Sequence, residues 1–266
     1  MSLPSWNILL RGGMAGAYIG MGTALMVVVS TGVADMLGDG MARLLMGVTF
    51  PLGVILAVMT GAELFTGDAM LAPFAAFRHN SGWTGIIRVW ILSYLGNLIG
   101  AAGFACLMVY GVLLQSDPSG VLTAGPYAVS TVALASEHCR YAGIWGLFSC
   151  FIKAVSAGWL LNLAILLGIC ADDAFGKIVG IWFPAMTMTA SGFEYSITNA
   201  YLVPAGLIAA ESLSPLQVAT IGPQVGSLGW SSFFLWNLIP STVGNLAGGL
   251  IFAGLLLWIA FKKELS

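Results

Sequence analysis

The amino-acid sequence predicts an all-α integral membrane protein: six transmembrane helices in 3+3 inverted repeats, with the second and fifth helices broken. Composition is the first of three observations behind this. Of 266 residues, 59% are hydrophobic and 8% charged, and mean hydropathy is +0.95. A soluble domain carries about 25% charged residues, so this chain cannot cover itself with a hydrated surface. Second, charge-free apolar runs recur at about the 20 residues that cross the hydrocarbon of a bilayer. Third, two polar strings interrupt such runs: Gly61-Ala62-Glu63-Leu64-Phe65-Thr66-Gly67 and Ser191-Gly192-Phe193-Glu194-Tyr195-Ser196. An acid at bilayer depth costs several kcal/mol unless it is paired or faces a polar cavity. Two such breaks in corresponding halves point to a path centred near the midplane.

The first span runs from about Trp6 to Val33, and a short acidic loop with Asp35 and Asp39 follows. The second begins near Arg43, breaks at residues 61–67 and resumes as a short piece to about Phe77. Asp68 opens that piece, where an acid favours a helix N-terminus. A loop with Arg78, His79, Asn80 and Gly82 leads to the third span, about Arg88 to Leu114. Residues 115–137 hold Asp117-Pro118-Ser119-Gly120 and Gly125-Pro126, turn chemistry that argues for a loop. The fourth span runs from about Tyr141 to Ala171, and the fifth from Lys177, broken at 190–196, to about Ala210. Residues 211–228 read as another loop before a sixth span from about Ser231 to Phe261. The whole chain, 1–266, reads as one channel domain, with repeats of about 6–114 and 141–261. No signal peptide is evident, because the first apolar stretch lacks a small-residue cleavage pattern.

Six spans put both termini on one side. Arg11, Arg78, Arg88, Lys177, Lys262 and Lys263 fall on that side, against Arg43 and Arg140 opposite. The positive-inside rule therefore makes the termini cytoplasmic, in a cell membrane. The halves echo each other: Gly96-Asn97-Leu98-Ile99-Gly100 in the third span matches Gly244-Asn245-Leu246-Ala247-Gly248 in the sixth, and Asn97 and Asn245 are candidate pore residues. Three spans per half is odd, so the second repeat inserts upside down, the plan of channels and secondary transporters.

Broken helices expose backbone groups that survive only around a cavity, and free N–H groups at helix N-termini suit an anion. Glu63 and Glu194 either hold their own breaks in shape or touch a permeant. Thr66 and Tyr195 offer hydroxyls without fixed charge and read as lining a pore. Lys153, deep in the fourth span, pairs with an acid, lines a vestibule or snorkels to an interface. Arg140, at the mouth opposite the termini, attracts anions or anchors the interface. His138 and His79 fall in loops, without metal or triad spacing. Cys106, Cys139, Cys150 and Cys170 lack metal-site spacing and read as small buried hydrophobes. No cofactor is expected. An enzyme would need a nucleophile–base pair or metal cluster, and a net charge of −2 suggests no nucleic-acid partner.

These strings resemble the formate/nitrite transporter family over nearly the whole chain. Met14-Ala15-Gly16-Ala17-Tyr18-Ile19-Gly20 is similar to the family's first-helix signature, and residues 61–67 to the loop that breaks its second helix. Ser191-Gly192-Phe193-Glu194-Tyr195-Ser196-Ile197-Thr198-Asn199 resembles its fifth-helix motif, ordinarily GFEHSxAN. Ala171-Asp172-Asp173 through Gly176-Lys177 to Ile181-Trp182-Phe183-Pro184, and Asn237-Leu238-Ile239-Pro240, resemble the archaeal formate-transporter branch. The resemblance implies an aquaporin-like protomer, five of them in a homopentamer within membrane lipid. It implies a small monovalent anion as permeant, formate foremost, with nitrite, hydrosulfide and short carboxylates as alternatives. Position by position it makes Leu64 a constriction residue, Thr66 a pore-centre hydroxyl, Phe50 and Val54 an outer slit and Met188 an inner slit.

Three departures stand out. Tyr195 replaces the family's central histidine, which follows the acid matched by Glu194. The usual vestibule lysine aligns near Ser136 or Ala142, with Arg140 as the nearby cation. Gly158 stands where asparagine is common. These losses leave a membrane sensor with a degenerate pore as a reading of a different class. A neutral-solute channel would need paired Asn-Pro-Ala motifs, which are lacking.

Overall fold

The computed structural model describes residues 3–77 and 82–261; Arg78, His79, Asn80, Lys262 and Lys263, on which the sequence placed loops and part of the charge bias, lie outside the described residues. In order, the first half comprises α1 (Ser5–Ser30), the short α2 (Val33–Leu37), α3 (Asp39–Thr49), α4 (Pro51–Thr60), α5 (Phe65–Phe77) and α6 (Trp83–Leu113). A hairpin of β1 (Leu114–Ser116) and β2 (Leu122–Ala124) precedes α7 (Pro126–Cys139). The second half comprises α8 (Gly143–Cys170), α9 (Ala174–Ala190), α10 (Ser196–Ala210), α11 (Pro215–Ile221) and α12 (Trp230–Phe261). Pro51 only begins α4, so α3 and α4 continue into one another as a single apolar stretch, Asp39–Thr60.

Among the described residues, five helices are long and apolar enough to cross a membrane: Ser5–Ser30, Asp39–Thr60, Trp83–Leu113, Gly143–Cys170 and Trp230–Phe261. The fifth of the six predicted crossings is the pair α9 and α10, separated by the second break. Large apolar side chains such as Ile99, Leu107, Trp145 and Leu235 point outward, the surface a multi-pass protein offers to lipid.

Small residues decide how the helices pack. On α1 and α6, a Cβ added to Gly16 would sit 2.0 Å from the Asn97 carbonyl oxygen, and one on Gly100 1.9 Å from that of Gly13. The second half repeats the contact between α8 and α12: 2.3 Å from Gly158 to the Asn245 oxygen and 2.2 Å from Gly248 to that of Val155. Without an apolar driving force inside lipid, such close backbone approach is what holds helices together. It also explains the departure at Gly158, where a side chain has no room. The nearby asparagine is Asn162, one turn on, whose Nδ2 donates to the Gly158 carbonyl at 2.8 Å.

Several expectations are corrected. Residues 126–139 form a helix, not a loop, because Pro126 starts a helical turn without needing its missing N–H. The turn before it is a hairpin, closed by the Asp117 carboxylate accepting from the Ser119 hydroxyl and from the N–H groups of Val121 and Ser119. These bonds hold the exposed Asp117 carboxyl below its ordinary range. Residues 211–228 are not wholly loop, since Ser214 and Gln217 cap α11 reciprocally. Cys139 and Cys150 are buried as expected, but Cys106 and Cys170 are exposed on the helical surface.

The glycine contacts yield a paired test. Gly100→Ala forces α1 and α6 apart and should cost about 1–3 kcal/mol. Gly103→Ala, three residues on, meets nothing within 4 Å and should be neutral or slightly stabilising, as for an exposed helical glycine. Thermal unfolding of both variants in detergent reads the difference.

Candidate functional site

Each break is built the same way. Gly61 ends α4 and Gly192 ends α9 in the left-handed region, with φ of 71° and 70°, where glycine escapes a Cβ penalty. Ala62 then donates to the Ala57 carbonyl at 2.9 Å, and Phe193 to that of Met188 at 3.2 Å. The next turn restarts when Asp68 donates to Leu64 and Asn199 to Tyr195. Across the breaks each second-half position lies 131 residues beyond its counterpart, so Glu63 corresponds to Glu194, Leu64 to Tyr195 and Asp68 to Asn199.

The backbone groups freed between the helix pieces go to two asparagines. Asn97 Oδ1 accepts from the Phe65 N–H at 3.0 Å, while its Nδ2 donates to the carbonyls of Glu63 (2.8 Å) and Gly12 (2.9 Å). Asn245 Oδ1 accepts from the Ser196 N–H at 2.9 Å, and its Nδ2 donates to Glu194 and Ala154, both at 2.9 Å. Asn97 and Asn245 therefore clamp the breaks, and both are fully buried.

The clamped segments meet. Thr66 Oγ1 lies 3.3 Å from the Tyr195 hydroxyl, in hydrogen-bond reach, and both side chains are buried. The Phe50 ring stands edge-on to Tyr195, centroids 6.5 Å apart. Val54, Leu64 and Met188 are buried in the same core. Met188, expected at an inner slit, lines the same cavity as Phe50 and Tyr195.

That cavity, about 380 Å³, opens on the face opposite the N-terminus, since its wall includes Met26 from the far end of α1, then Ala34, Asp39 and Arg43. Glu194 lies at its floor, 2% exposed, and accepts at every side. His138 Nδ1 stands 2.8 and 3.0 Å from its two oxygens, and the Tyr141 hydroxyl donates at 2.7 Å. Asn199 Nδ2 donates at 2.8 Å and Asn237 Nδ2 at 3.1 Å. Lys153 Nζ donates in turn to Tyr141 at 3.0 Å. Lys153 thus lines the cavity and reaches the acid through a phenol. Arg140 is exposed and also lines the cavity. The oxygens Thr198 Oγ1 and Asn199 Oδ1 lie buried beside it without a partner among the described residues.

His138 was overlooked because a lone histidine carries no spacing signal, and its partner lies 56 residues away. It stands on α7, which is not among the crossing helices. Burial pulls its pKa down, yet the Glu194 carboxylate and its hydrogen bond, with Glu137 nearby, hold it above the ordinary histidine value. Because the folded value exceeds the unfolded one of about 6.5, this pair's stabilisation is complete below that pH. It is lost as pH rises through the folded value.

On the terminal side Arg11 pairs with Glu63 at 3.5 Å, while Arg88 on α6 donates to the Leu3 carbonyl beside the start of α1. Arg11 and Lys153 occupy corresponding positions, 142 residues apart, so each break carries a cation on its own side. Asp68 is buried under α6, its carbonyl accepting from the Trp90 indole at 2.9 Å.

The family model described as Formate/nitrite transporter matches residues 1–259. The chain is 36% identical to a probable formate transporter of Methanothermobacter thermautotrophicus, covering 98% of this chain and 91% of that protein. It is 30% identical to the formate channel FocA of Escherichia coli strain K12, covering 94% and 85% respectively. A solved pentameric formate channel with formate bound superimposes with a TM-score of 0.80 at 26% identity, over 97% of this chain and 98% of that one.

The clamps are separable by substitution. Asn245→Leu leaves the Ser196 N–H and the Glu194 carbonyl unpaired and should cost about 3 kcal/mol. Hydrogen exchange should quicken across residues 191–199 while residues 61–68 keep their protection; Asn97→Leu should give the reverse.

Proposed function

The chain belongs to the formate/nitrite transporter family, and on that premise we propose that it conducts formate through the cavity, the Phe50–Tyr195 slit and the Thr66–Tyr195 contact. The single observation carrying this reading is the meeting of the two breaks at Thr66 and Tyr195. The protein is a membrane channel for small monovalent anions, and formate is proposed from the relatives' names. In this reading residues 1–266 act as one channel domain with repeats near 6–114 and 141–261, five copies assemble, and the termini face the cytoplasm. Phe50, Val54, Leu64 and Met188 form the apolar slit, with Thr66 and Tyr195 as its polar centre. Arg140 and Lys153 draw the anion in. Glu63 and Glu194 shape the breaks and carry no reaction; the chain is proposed to be a conduit, not an enzyme.

The slit's apolar lining sets the mechanism. Moving a bare carboxylate through an apolar constriction carries an effective penalty of several kcal/mol. Protonating an acid of pKa about 4 at pH 7 costs roughly 4 kcal/mol. The costs are comparable, and only the neutral acid matches a slit whose polar atoms are two uncharged hydroxyls. Tyr195 orients the permeant by a neutral hydrogen bond, since a phenol of ordinary pKa about 10 does not release a proton near neutrality.

Uptake of labelled formate into proteoliposomes tests this. Tyr195→Phe and Thr66→Val should each slow uptake about fivefold, as for loss of one hydrogen bond of about 1 kcal/mol. The double variant should add little, because the two hydroxyls act as one unit. Uptake unchanged in both single variants removes this pair from the path. Nitrite and hydrosulfide in the same assay rank the permeants.

A further inference from the structure

We infer that His138 is the proton donor of this channel, giving its Nε2 proton to a carboxylate at the floor of the outer cavity so that the permeant enters the slit as the neutral acid. The inference rests on the reading of that cavity as the route of a small monovalent anion.

Geometry gives the imidazole this part. Glu194 is filled with donors and buried, so it acts as an acceptor toward His138 and keeps a proton on Nδ1. A partner on one ring nitrogen fixes the tautomer and leaves the other for exchange. Among the described residues Nε2 has no hydrogen-bond partner, and the side chain retains 23% exposure in a residue that lines the cavity. The Tyr141 hydroxyl is committed to Glu194 and Lys153 to Tyr141, and a phenol such as Tyr195, of ordinary pKa about 10, does not release a proton near neutrality.

The charges facing His138 make its state decisive. From the second break comes Glu194, from α8 Lys153, from α3 Asp39 and Arg43, and from its own segment Glu137 and Arg140. Three cations stand against three carboxylates, so the imidazole decides whether the cavity is neutral or positive. An imidazolium draws in the anion, and the same proton then discharges it. The Nε2–H bond breaks as an O–H bond forms on the carboxylate, leaving a neutral ring with its Nδ1 proton on Glu194. Water at the cavity mouth restores the Nε2 proton, and the acid releases its own beyond the slit, so one proton crosses with each anion. The new O–H needs an acceptor, and the cavity offers Asn199 Oδ1 and Thr198 Oγ1, both buried without a partner among the described residues.

The test is formate uptake by proteoliposomes at symmetrical pH between about 5.5 and 8, the range in which a histidine titrates, in wild type and His138→Gln. Glutamine keeps a neutral hydrogen bond toward Glu194 and cannot titrate. Uptake by the variant should be at least about tenfold slower near pH 6, equal to roughly 1.4 kcal/mol, and its profile should lack the wild-type inflection. A rate within about twofold of wild type and an unshifted inflection would overturn the inference. Should the variant not assemble on size exclusion, acylation of the imidazole by diethyl pyrocarbonate in His79→Gln protein gives the same reading. There, loss of uptake that formate protects against supports the assignment, and full uptake after acylation overturns it. Wild-type protein with no saturable formate flux would overturn the channel reading, and this inference with it.

Discussion

Two buried amides hold this molecule's function in place. A helix interrupted inside a bilayer frees N–H and carbonyl groups that lipid cannot satisfy, each costing several kcal/mol. Asn97 and Asn245 take up those groups with the same atoms in the same order, one for each break. They reach the breaks because their neighbouring glycines bring helix backbones into contact, Gly96 and Gly100 against α1, Gly244 and Gly248 against α8. Packing and polar satisfaction are thus one device. The glycines set the approach, the asparagine between them uses it, and the broken segments can hold Thr66 and Tyr195 face to face.

On this shared frame the two halves carry different chemistry. The position that is Leu64 in the first half is Tyr195 in the second, and the position of Asp68 becomes Asn199. Arg11 touches its glutamate directly, whereas Lys153 reaches its own through Tyr141 and leaves room for His138. The cavity beside the second break therefore carries a titratable imidazole, while the meeting point of the two breaks holds only uncharged hydroxyls.

Much of this was legible in the residues. The two acid-bearing strings, the spacing of the GN-x-x-G pairs and the charge-free runs gave the architecture, because lipid imposes severe and readable constraints on backbone and charge. The asparagines were identified as candidates, but their role as clamps was not, since it depends on contacts across 32 and 49 residues. The helix at 126–139 escaped because Gly125-Pro126 reads equally as a turn or a helix start. His138 escaped with it. Lys153 was noticed, but only coordinates could say which of its neighbours it meets. Tyr195, marked as a loss at the centre, gains meaning beside an imidazole within the cavity above it.

The central claim is that the clamped breaks converge on a single conduit through each protomer. A cryo-electron microscopy map of the assembly in lipid nanodiscs, with saturating formate, tests it most directly. The account predicts permeant density in line from the His138 cavity through the slit to the gap between the Thr66 and Tyr195 hydroxyls. Density confined to a passage between protomers, with Thr66 and Tyr195 sealed in a dry core, would contradict it.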